Sequence, residues 1–158
     1  MKILLEGGAN FKSVNKDGTT ALIYAAQQGH AECLKMLIEG GANVNDTDKD
    51  GITALIHAAY TGKADCIKLL LDNRADINRV DNVGDTAPIS AATQGHGDCL
   101  KMLIEAGADV NMKNNMGVSV IAVAVNSGHV DSVRMLLDNG GDCNSTDDDG
   151  ITLIMHAA

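Results

Sequence analysis

Cysteines, histidines and dense runs of aspartate are the residues of this chain whose types could do chemistry. Cys33, Cys66, Cys99 and Cys143 offer thiolates for a metal or sulfurs for disulfides. Asp46-Thr47-Asp48-Lys49-Asp50-Gly51 matches the first half of a calcium-binding loop, and Asp147-Asp148-Asp149-Gly150 comes near the same pattern. His30, His96 and His129 each follow a glycine, and Asn45-Asp46-Thr47 and Asn144-Ser145-Thr146 read as glycosylation sequons. Paired histidines flanking a glutamate, phosphate-cradling glycine loops and serine nucleophile elbows are all missing from the sequence, so an enzyme has no residues to stand on.

Spacing decides what these residues are for. Gly18, Gly51, Gly84, Gly117 and Gly150 fall at successive intervals of 33 residues, and Gly29, Gly62, Gly95 and Gly128 keep the same step. So do Asn45, Asn78, Asn111 and Asn144. The chain divides into a partial unit 1–14, full units 15–47, 48–80, 81–113 and 114–146, and a partial unit 147–158. With its pattern Gly-x-Thr-x-Leu, Ala-Ala, Gly-His, Leu-Leu, Gly-Ala-Asp-x-Asn, the chain resembles the ankyrin repeat family over its whole length. Departures are local: the Pro and His of Thr-Pro-Leu-His are lost, Ser119 replaces a Thr, and Arg74 replaces a Gly.

The elements follow from the physics of one unit. Thr20, Thr53 and Thr86 suit the N-cap of a short helix that ends near Gly29, Gly62 and Gly95. A second helix over about Glu32 to Glu39 puts Leu34, Leu37 and Ile38 on one face, and Gly41 and Gly107 supply the left-handed residue that stops it. Arg74 at the matching place costs about 1 kcal/mol if that conformation is kept. Asp and Asn between units suit a hairpin-like turn. The β-branched run Val118 to Val125 would alone read as a strand, but Ala124 aligns with Ala25, Ala58 and Ala91, so register predicts a buried helix. The expected fold is an all-α repeat solenoid of helix-turn-helix units.

Register then revises the chemistry. Cys33, Cys66 and Cys99 occupy one column, and units stacked about 8–10 Å apart hold them too far apart for a disulfide or a shared zinc. Ser132 in the same column and the apolar column of Cys143 predict free thiols, as in a reducing compartment. The calcium pattern fails at its twelfth position, where His57 and His156 replace a bidentate Glu, leaving solvated acidic turns. The resemblance implies a structural role for the His column. It also implies a candidate modification, hydroxylation of Asn45, Asn78, Asn111 or Asn144, each with a Leu eight residues earlier. No cofactor or metal is expected.

Composition bounds the partner. The 158 residues carry 12 Lys and Arg against 21 Asp and Glu, a formal charge of −9, which disfavours nucleic acid and anionic membranes. No run approaches the ~20 apolar residues of a membrane span, and Glu6 interrupts any secretory core in MKILLEGG. A cytoplasmic setting is expected, with the nucleus as the alternative. Neither end reads as a polar cap, which predicts a window from a longer array with uncovered apolar faces at Leu4, Leu5 and Ile154.

Each full unit repeats acid, base, acid on its second helix, as in Glu32, Lys35 and Glu39, and this reads as a solvated back. The resemblance places recognition on the turn tips and the exposed end of the first helix, which together form a concave groove. The helix-end candidates are Gln27, Gln28, Tyr60, Thr93 and Gln94; near the turns stand Ile52, Val83, Met116 and Val118, each either exposed to a partner or packed on the next unit. Asp48, Asp50, Asp148 and Asp149 on the tips would steer a basic segment. The expected function is non-enzymatic binding of a protein or peptide, with no small-molecule substrate. The alternatives are a regulatory or targeting segment of a larger enzyme or channel, and calcium sensing through the acidic turns.

Overall fold

The computed structural model describes residues 13–146 and 148–156, with the His156 side chain left aside. Leu4, Leu5, Asp147 and Ala158, and nearly all of the first partial unit, lie outside the described residues.

Each unit opens where a hydroxyl captures an otherwise unpaired helix amide. Thr20, Thr53, Thr86 and Ser119 are extended, and their side-chain oxygens accept from the backbone N–H of Ile23, Ile56, Ile89 and Ala122 at 3.2, 3.2, 3.3 and 3.4 Å. From these caps run α1 (Ala21–Gln28), α3 (Ala54–Tyr60), α5 (Ala87–Thr93) and α7 (Val120–Asn126). Each is followed by a second helix: α2 (Ala31–Glu39), α4 (Ala64–Asp72), α6 (Gly97–Glu105) and α8 (Val130–Asp138). A short α9 (Leu153–His156) begins a further unit. The run Val118 to Val125 is helical from Val120 onward, because Ala124 and Ile121 are locked into the core and packing outweighs strand propensity.

Helix ends follow the glycine columns. Gly29 at φ 76° turns the chain so that the His30 amide bonds back to the Ala25 carbonyl at 2.8 Å. Arg74 adopts φ 64° where the other units use glycine, the one non-glycine residue at positive φ among the described residues. Its conformation is kept at a cost of about 1 kcal/mol.

The units stack in two layers. α1, α3, α5, α7 and α9 pack in series, α2, α4, α6 and α8 form the second layer, and the two helices of each unit pack on each other. The core between the layers is aliphatic, with Leu22, Leu34, Leu55, Leu70, Leu100 and Leu136 fully buried. Buried Ala25, Ala58, Ala91 and Ala124 let successive first helices approach closely. No helix among the described residues is long and apolar enough to cross a membrane.

Candidate binding face

The turns between units are built by one side chain each. Oδ1 of Asn15, Asp48, Asp81 and Asn114 accepts the amides two and four residues on, for Asp81 those of Val83 at 3.0 Å and Asp85 at 2.9 Å. Successive tips then bond to each other: Lys49 N–H to the Asp17 carbonyl at 3.0 Å, Asn82 N–H to Asp50 at 2.9 Å and Asn115 N–H to Val83 at 3.0 Å. The tips therefore form a continuous, hydrogen-bonded ledge.

This geometry corrects the expectation for Asp48. Its side chain is only 8% exposed, because Oδ1 caps the turn and Oδ2 meets His57 Nε2 at 3.0 Å. It builds the ledge and offers little charge to solvent. Asp50, Asp148 and Asp149 do lie exposed on the tips. In the calcium-like run, Asp46 Oδ1 accepts from Asn43 Nδ2 at 2.7 Å while Asp48 is committed to its turn and His57, so these carboxylates do not converge on an ion. Among the described residues no group of three or more His, Cys, Asp or Glu could hold a metal.

Beside the ledge run the ends of the first helices. Gln28, Thr93 and Gln94 are exposed, Gln27 is half-buried, and the Tyr60 ring is 52% exposed. Val83 and Met116 project from the tips, whereas Ile52 and Val118 are half-buried and pack against the core. Tyr24, 56% exposed, was not among the sequence candidates. It stands in a column with His57, Ser90 and Val123, and that change of chemistry from unit to unit was the available signal.

Between the second and third units the face deepens into a cavity of about 230 Å³. Ile52 and Ile56 supply apolar wall, Tyr60 and His57 aromatic wall, and Asp81 and Asp85 two carboxylates; Gln27 and Ser90 complete the lining. Asp85 is held by Asn114 Nδ2, which donates to its Oδ1 at 2.9 Å. Burial pushes its carboxyl above the usual range and the Asp81 charge adds to this, while the Asn114 hydrogen bond opposes them. Sequence reasoning passed over Asp85, although it is the acidic member of a column otherwise occupied by Thr19, Ile52, Val118 and Ile151.

The remaining candidates have structural work. His96 Nε2 lies 3.1 Å from the Tyr60 carbonyl, and the rings of His96 and His129 sit over Gly62 and Gly95 of the preceding unit, where a Cβ would come within 2.8 and 2.6 Å of them. Asn45, Asn78 and Asn111 accept through Oδ1 from Asp76, Asp109 and Asp142 backbone N–H at 2.8, 3.1 and 2.9 Å, each reaching into the next unit. All four cysteines are free thiols; burial pushes those of Cys66 and Cys99 up, with Asp65 and Asp98 adding to the shift, while Cys143 is exposed. The acid-base-acid triplets of α2, α4, α6 and α8 are exposed throughout, with Lys101 and Glu105 3.9 Å apart.

The sequence comparisons agree with this architecture. A family model described as ankyrin repeats, three copies, matches residues 1–81 and 75–147. No curated protein matches the chain.

Proposed function

The chain belongs to the ankyrin repeat family, whose members generally serve as protein-protein interaction modules, and from that premise we propose that it binds a protein or peptide through the face formed by the turn ledge and the first-helix ends. It does so without catalysis of its own, in the cytoplasm or nucleus. One observation carries the reading: the exposed side chains of this face change from unit to unit around the half-exposed Tyr60, while the opposite face repeats one charge pattern. A repeated pattern keeps a surface solvated but carries no address. A varied surface with an aromatic anchor has the makeup of an interface, because binding energy concentrates in a few such side chains. The hydrogen-bonded ledge supports this by presenting those side chains with little ordering cost. Asp50, Asp148 and Asp149 would draw in a basic partner segment.

Site-specific photocrosslinking tests the reading. A photoreactive residue placed at Gln28 or Thr93 should crosslink one partner, identified by mass spectrometry, whereas the same group at Lys68 or Lys101 should not. Crosslinks from the back positions alone would overturn it.

A further inference from the structure

The cavity beside Tyr60 permits a narrower statement, which rests on the protein-binding reading. We propose that it receives the guanidinium group of one arginine from the bound partner. Its volume, about 230 Å³, falls below the ~300 Å³ at which small-molecule pockets begin, and so suits a single side chain. Its lining separates into parts that match an arginine from stem to tip. Ile52 and Ile56 offer apolar surface for the methylene stem, Tyr60 an aromatic ring for the planar head, and Asp81 and Asp85 two carboxylates four residues apart on one turn.

Among the described residues no lysine or arginine lines the cavity. Its other charge-bearing group, His57, faces the Asp48 carboxylate at 3.0 Å, so any positive charge on the ring is already opposed. Asp81 uses Oδ1 for both of its turn hydrogen bonds, and Asp85 takes the Asn114 amide on Oδ1. The carboxylate placed here at the cost of partial burial thus has a use: an entering cation supplies the charge that the site lacks. A lysine would meet the charge but not the planar fit to ring and carboxylates.

The test is an NMR titration of the ¹⁵N-labelled chain with acetyl-Gly-Arg-Gly-amide and with its citrulline and lysine counterparts. The arginine peptide should give saturable shifts at the amides of Ile52, Tyr60, Asp81 and Asp85, in the millimolar range, with the citrulline peptide at least tenfold weaker and the lysine peptide between them. Asp81→Asn and Asp85→Asn should each weaken the arginine peptide severalfold. Both variants should fold, since Asn15 and Asn114 already do the turn-capping work of Asp81 and an amide oxygen can still accept from Asn114 at position 85; circular dichroism checks this. Equal shifts from the citrulline peptide, shifts confined to Asp50 and Asp148, or none at the cavity amides would overturn the proposal. If the two Asn variants still bind the crosslinked partner with full affinity, the cavity claim fails and the protein-binding face stands; crosslinking from the back alone removes the face itself.

Discussion

Asp85 occupies a position that the other units give to Thr19, Ile52, Val118 and Ile151, and burial of its carboxyl outweighs the Asn114 hydrogen bond that favours its charge. Burial raises its carboxyl pKa above the unfolded value, so the native chain holds this proton more readily than the unfolded chain does. The stability tied to this group is therefore full below the unfolded carboxyl pKa and is lost as pH rises through the folded one. Asp85→Asn keeps an acceptor for Asn114 and removes the charge. It should melt above the wild type at pH 7, and the gap should close as the pH falls through the carboxyl range and the wild-type group takes its proton. Melts across pH 3 to 7 check this; a variant less stable at pH 7 would mean that the charge is satisfied in the fold. A cost of that kind, once measured, is what a position kept for binding rather than for the fold would show.

At the scale of the turns and helices, two glycines in the left-handed region separate two kinds of constraint. Gly84 has φ 86°, and a Cβ there would lie 2.6 Å from the backbone nitrogen of Asn115 on the next tip. Gly107 has φ 92° and nothing within 4 Å of that point. Gly107→Ala should cost only the conformational strain, about 1 kcal/mol, whereas Gly84→Ala adds the displacement of a neighbouring turn and should cost about 2 kcal/mol or more. Urea melts of both variants read the difference, and equal costs would deny that the tips brace one another.

Most of these elements were legible in the sequence because the period turns local ambiguity into alignment. Ala124 alone says nothing about the Val118 to Val125 run, but in the column of Ala25, Ala58 and Ala91 it marks a helix face packed on its neighbour. Caps, stops and the left-handed Arg74 followed in the same way. The site was legible only in outline. Tyr60 and the helix-end amides stood out as varying residues, whereas the inward turn of Asp48 toward His57 and the meeting of Asp85 with Asn114 join different elements or neighbouring units. The first depends on how a turn folds back on its own helix and the second on how one unit sits on the next, and a column of like residues encodes neither.

The whole molecule is a stack with two unlike surfaces. One repeats Glu32-Lys35-Glu39 and its counterparts along α2, α4, α6 and α8; the other carries Tyr24, Tyr60, Val83 and Met116 over a hydrogen-bonded ledge, with an acidic cavity at its middle. Because each unit is braced by its neighbours, the second surface is held in one shape and its contacts act together. The central claim, that recognition belongs to that surface, is tested most directly by calorimetric titration of the crosslinked partner against Tyr60→Ala, Lys68→Ala and Lys101→Ala. The Tyr60 variant should lose about 2 kcal/mol, close to 30-fold in Kd, with the two lysine variants unchanged. Weakened binding by the lysine variants, with Tyr60→Ala at full affinity, would contradict it.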